Sequence, residues 1–257
     1  MRVIKTAFSL ICGVVLLVTS APPAEAATTR VPLTCGMVVN RDADIYLPRD
    51  LYCPDFAVRV EQEHSDDVPP PHVRVDLRGH TLRGPGTGNG ITAFSEGFGI
   101  TFVQVMNGRL KNWGIAVGGD YNFRTSNVAL VGNRIGLVCA GSDCVADRTH
   151  FQGNSLGLSV SADAGGAATR STFVDNKVGA SVSWIWSLNI DSSTFLSNDI
   201  GVLASNARVS VAKSLFIKNK TAIQVTNESD NPFGCAQLNR VVFVKNKVRV
   251  DGPTCAA

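Results

Sequence analysis

Few residues here have types and spacing suited to chemistry. Asp120, Asp143, Asp147, Arg148, Asp163 and Arg170 place carboxylates near arginines between apolar, strand-like segments. They follow no metal-ligand pattern, and a calcium cluster would need oxygens gathered from several such segments. The expected reading is solvated loop charge. His64, His72 and His150 are isolated and show no metal spacing. His80, in Gly79-His-Thr, suits a turn or hydrogen-bonding role. Trp184 and Trp186 lie on one side of an extended segment. Exposed, they form a sugar-stacking platform; buried, they pack beneath a loop. Ser161, Ser183, Ser205 and Thr226 recur as an outward hydroxyl series, best read as turn chemistry at strand ends.

The spacing of these residues follows from a repeat. Ser193-Thr-Phe-Leu-Ser-Asn-Asp-Ile-Gly-Val-Leu returns in variant form around Phe151, Phe173, Phe216 and Phe243, with Leu130 in the Phe place upstream. Counted on the small residues Gly90, Gly114, Gly136, Gly157, Gly179, Gly201 and Ala222, the steps are 24, 22, 21, 22, 22 and 21. A period in this range marks a solenoid. Apolar residues alternate within each repeat, as at Leu158 and Val160 or Ile223 and Val225, which is the period of a strand. The expected fold is all-β: a single-stranded parallel β-helix of about 21–22-residue coils. A leucine-rich-repeat framework is absent.

Two side-chain columns follow. Asn112, Asn133, Asn154, Asn176, Asn198, Asn219 and Asn246 recur at a turn, where Asn tolerates a left-handed backbone. Coils stacked ~4.8 Å apart would let their amides bond along the axis as a ladder. The Phe three residues earlier should stack inside the coil, each burial contributing roughly 1.5–3 kcal/mol. Both columns read as scaffold.

The ends carry other information. Arg2 and Lys5, the apolar run Ala7 to Val18, and Ala24-Glu-Ala26 form a secretory signal peptide over residues 1–26. It is too short for a transmembrane anchor, so the mature chain is expected to be secreted, with no membrane span. Cys12 leaves with it. The remaining Cys35, Cys53, Cys139, Cys144, Cys235 and Cys255 form an even set in an exported chain, implying three disulfides. Fifteen connectivities exist, of which nearest-neighbour pairing is the simplest. Residues 27–72 lack the repeat and read as an N-terminal cap and loop; 73–257 read as the β-helix. The formal charge of +3 and the absence of a basic run exclude nucleic acid as the expected partner.

The order Cys35-Gly, Asp50-Leu-Tyr-Cys53, then Asp76-Leu-Arg-Gly-His-Thr-Leu-Arg-Gly84 resembles exported bacterial right-handed parallel β-helix proteins of the pectin-lyase-like superfamily. The resemblance covers about Cys35 to the C-terminus and supplies the expected right-handedness. It implies lyase, hydrolase, epimerase or non-catalytic roles, since fold does not determine function. Hydrolases of the superfamily set paired acids just before the repeat's small residue. Asn89, Trp113, Ile135, Leu156, Val178, Ile200 and Thr221 stand there, and none is acidic. The Asp-Pro-His motif of the epimerases is absent. Its lyases commonly use an Arg or Lys base with calcium-holding carboxylates. The expected function is therefore a non-catalytic, monomeric secreted protein that binds a polysaccharide or cell-surface glycan, with no cofactor. The alternative is a polysaccharide lyase, the one reading that brings in calcium.

Overall fold

The computed structural model describes residues 30–61, 70–94, 101–141, 143–161, 165–184, 187–228 and 234–255. The signal peptide, His64, Asp163 and Trp186 lie outside the described residues. Among these residues the chain is all-β, with twenty-seven strands and no helix. Among the described residues, no helix is long and apolar enough to cross a membrane.

One coil shows how the sequence builds the rest. Leu156–Ser161 forms a first face, Gly166–Thr169 a second and Thr172–Val174 a third; Val178–Ser183 then opens the next coil. Alternate residues on the second and third faces are buried, as period-two patterning requires; on the first face Leu158 and Val160 follow the same rule and Gly157 is buried as well. The first faces pair into a ten-stranded sheet, and the second and third faces join in a seventeen-stranded sheet. Pairing is parallel throughout the described residues and links each strand to its equivalents one coil away, as in Val160 with Val182 and Phe173 with Phe195. The architecture is consistent with a parallel β-solenoid. Residues 30–61, which lack the repeat, already carry strands in both sheets: Ala43–Tyr46 pairs with His72–Asp76, and Met37–Val39 with Phe56–Glu61.

The core is columnar. Leu51, Leu82, Leu110 and Leu130 run into Phe151, Phe173, Phe195, Phe216 and Phe243 in a single register. Phe151, Phe173, Phe195 and Phe216 stack with centroids 4.4–4.6 Å apart; Phe243 is tilted and 5.5 Å from Phe216. The rings explain the recurrent glycine. A Cβ on Gly179 would lie 2.5 Å from the Gly201 carbonyl oxygen and 3.0 Å from the Phe195 ring.

The Asn ladder runs from Asn133 to Asn246. Each Asn backbone N–H and Nδ2 donate to Oδ1 of the next Asn, at 2.9–3.1 Å, through Asn154, Asn176, Asn198 and Asn219. Three expectations need correction. Asn112 is not a rung: Trp113 takes that place, its N–H donating to Asn133 Oδ1. The small-residue column passes through Ala116, not Gly114, because Ile115 pairs with Asn89 and Ile135. Ile115 therefore replaces Trp113 among the positions preceding that column, and none is acidic. Finally, the ladder residues are not left-handed. Positive φ falls one residue earlier, at Asn112, Gly132, Gly153, Asp175, Ser197, Lys218 and Lys245. The turn residue and the bonding residue are neighbours, so each meets one demand.

Sequence reading missed a second buried ladder between the second and third faces. The backbone N–H groups of Thr149, Ser171 and Ser193 donate to the hydroxyls of Ser171, Ser193 and Ser214 at 3.1 Å. Their spacing matches the coil length and could have revealed them. The disulfides are Cys35–Cys53, Cys139–Cys144 and Cys235–Cys255, the nearest-neighbour pairing.

Candidate functional site

The second corner, between the second and third faces, gathers charge. Its left-handed position is held in successive coils by Arg78, Asn107, Asn127, Arg148, Arg170, Ser192, Lys213 and Arg240, with φ between 46° and 56°. Backbone hydrogen bonds from coil to coil keep them in line. Their side chains therefore form a ridge parallel to the coil axis.

A groove of about 520 Å³ lies beside the ridge, lined by Asn107, Arg109, Asn127, Ala129, Arg148 and His150 among others. Arg109, Ala129 and His150 occupy one outward column of the third face. Ala129 is the short member, which leaves room between its two longer neighbours. Asn127 Nδ2 donates to Asn107 Oδ1 at 3.2 Å, and Asn107 Nδ2 donates to Asp76 Oδ1 at 3.2 Å. Arg109 is exposed and makes no ion pair among the described residues. His150 is engaged through both ring nitrogens, Nδ1 with the Thr172 hydroxyl and Nε2 with Gln152 Oε1.

Of the acids and arginines singled out in the sequence, the fold unites three. Arg170 donates to Asp147 Oδ1 through Nε at 3.0 Å and Nη2 at 2.6 Å, and Arg148 Nη2 lies 3.2 Å from Oδ2. Thr169 Oγ1 also donates to Asp147. Burial alone would raise the Asp147 pKa, but the hydrogen bonds from Arg170 and Thr169 and the charges of both arginines outweigh it, so the value is lowered. One carboxylate thus faces two guanidiniums, and the cluster keeps positive charge for a ligand.

Asp120 and Asp143 fall at the first corner, across the second face from this cluster; Asp143 Oδ1 accepts from Gly165 N–H. His80 is a turn residue. Its Nδ1 is 3.5 Å from Asp50, and its carbonyl accepts from the Arg109 N–H. His72 lies beside Phe102. No group of three potential metal ligands occurs among the described residues. Trp184 is 52% exposed at the first corner, with φ 63°, and its N–H donates to the Ser205 carbonyl. The Ser205 and Thr226 hydroxyls hydrogen-bond at 2.9 Å beside it. The fold does not bring Trp184 to the groove.

No protein-family model matches the chain, and no curated protein matches it. The site must therefore be read from its own chemistry. Guanidiniums in a line, with amides beside them, suit carboxylates or sulfates presented at intervals along a polymer. Paired acids at the separation glycoside hydrolysis needs are not part of the groove lining.

The Asp147 cluster predicts a pH dependence. A carboxyl whose folded pKa is depressed adds stability above its unfolded value, near 3.9. That contribution is lost as pH falls through the lower folded value. Asp147→Asn should lower the thermal midpoint at pH 7, and the gap from wild type should close as pH drops below about 4. A gap that stays constant down to pH 2 would show that the carboxylate's charge does not stabilise the fold.

Proposed function

We propose that this chain is a secreted right-handed parallel β-helix protein of the pectin-lyase-like kind that binds an acidic polysaccharide along its second corner without cleaving it. The observation that carries this reading is the axial ridge of Arg148, Arg170, Lys213 and Arg240 leading into a groove that holds Arg109. A linear polymer laid parallel to the axis would meet a cation at many of its repeats. Right-handedness agrees with the hand that parallel crossover connections adopt. Three disulfides fit an oxidising compartment.

Binding is favoured over elimination because lyases of this kind pair an Arg or Lys base with calcium-holding carboxylates. Arg148 is tied to Asp147 and both His150 nitrogens are engaged, which leaves Arg109 as the free cation of the lining among the described residues, and the groove lining brings no carboxylate beside it to hold the calcium that such a lyase would use. The test uses the mature, oxidised protein with polygalacturonate, alginate and a neutral glucan. Binding to the acidic polymers alone, weakened by salt, is expected. Arg109→Ala should weaken it roughly tenfold, the loss of one charged hydrogen bond. Equal binding to the neutral glucan would overturn the reading. Accumulation of unsaturated uronate would replace it with the lyase reading, and calcium would then be tested.

A further inference from the structure

The third face changes character toward the C-terminal end. Its outward positions become aliphatic: Val174, Leu196, Leu215, Ile217, Val242 and Val244. Val242 is 54% and Val244 38% exposed. Both corners bordering this strip turn basic over the same two coils. Lys213 and Arg240 stand on one side, Lys218 and Lys245 on the other. Among the described residues only Lys213 of these four makes an ion pair, to Asp191 at 3.7 Å.

The backbone makes these cations informative. All four have φ between 47° and 55°. In earlier coils the position of Lys218 and Lys245 is held by Asn112, Gly132, Gly153, Asp175 and Ser197, and of these Gly, Asn and Asp enter the left-handed region with less strain than lysine. Lysine is thus kept there against local preference, and beside Lys245 the strip residues Val242 and Val244 are exposed.

An occupant must match aliphatic side chains flanked by cations. A second copy of the same face would set cations against cations, which like-charge repulsion disfavours. An acidic glycan would need hydrogen-bonding side chains across the contact as well as flanking cations, and the strip between them offers aliphatics. A bilayer surface bearing anionic headgroups meets both features. Aliphatic groups enter the headgroup boundary, while lysine and arginine stems run along it and keep their charges at the headgroups. We propose that the third face of the last coils docks on an anionic lipid surface, with Lys213, Lys218, Arg240 and Lys245 contacting headgroups around Val242 and Val244. This surface shares Lys213 and Arg240 with the ridge, but its aliphatic strip, Lys218 and Lys245 lie apart from the groove at Arg109, so docking is tested on those residues independently of glycan binding.

The test is co-sedimentation of the full mature chain with vesicles of mixed phosphatidylglycerol and phosphatidylcholine, or of phosphatidylcholine alone. The expected result is sedimentation with the anionic vesicles only, weakening as salt shortens the screening length. Lys218→Asn with Lys245→Asn should weaken partitioning roughly 25-fold at low salt, from about 1 kcal/mol for each cation at the surface. Because Asn suits the left-handed position, the denaturant midpoint of that variant should match or exceed wild type, separating docking from folding. Val242→Ser with Val244→Ser should also weaken partitioning while leaving the salt dependence intact. Sedimentation of the lysine variant equal to wild type would overturn the proposal, as would absence of binding to anionic vesicles. Retention on soluble heparin or polyglutamate without vesicle binding would also overturn it, assigning the strip to a soluble polyanion.

Discussion

Phe195→Ala should lower the denaturant midpoint by much more than Phe243→Ala. Its ring is fully buried and lies 4.4 Å from Phe173 and 4.6 Å from Phe216 by centroid distance. Removing it leaves a cavity closed on both faces. Phe→Ala at such a site costs about 3–5 kcal/mol. The walls cannot collapse readily, because coil spacing is set by parallel hydrogen bonds above and below. Phe243→Ala should cost less: that ring is half-buried, tilted by 27° and has one stacking neighbour. Equilibrium unfolding of both variants measures the difference. Midpoints are the safer quantity, since stacked repeats need not unfold in two states. Equal losses at the two positions would mean that stacking on both faces does not set the cost.

Asn198→Ala should be the second severe lesion. Asn198 Oδ1 accepts from the Asn176 backbone N–H at 3.0 Å and from Asn176 Nδ2 at 2.9 Å, while Asn198 Nδ2 donates to the Phe173 carbonyl at 2.9 Å. Alanine leaves all three groups without these partners in a site only 1% exposed. Each unsatisfied group costs roughly 1–3 kcal/mol. Asn246→Ala removes a similar set of bonds, to Asn219 and the Phe216 carbonyl. There the residue is half-buried at the last described coil, so water can replace part of what is lost. The two midpoints should differ clearly, Asn198→Ala being the lower. Because Asn198 has an ordinary backbone while φ 57° falls on Ser197, the loss tests hydrogen bonding and not turn strain.

The Phe and Asn columns were legible because a group that must meet its own equivalent one coil away has to recur at the coil length. Periodicity alone therefore identified strands, buried rings and ladder amides. Nearest-neighbour disulfides could be read as the simplest pairing for a chain whose cysteines come in close pairs. The same logic weakened in the early coils. There Leu replaces Phe, and the small-residue column steps 26 and then 20 residues through Ala116. Gly114 and Asn112 then looked like frame and rung, although Gly114 is small because its Cβ would meet the Gly88 carbonyl oxygen at 2.7 Å.

The charged surfaces depended on tertiary structure. Arg148, Arg170, Lys213 and Arg240 are 22, 43 and 27 residues apart in sequence; the first two read as solvated loop charge, and nothing in the sequence singles out the other two. Only parallel register sets them on one corner, and only the short side chain of Ala129 opens the groove between Arg109 and His150. A buried column must repeat its chemistry to stay packed. A surface line needs only that each coil deliver some residue to the same corner, so its chemistry leaves no period in the sequence.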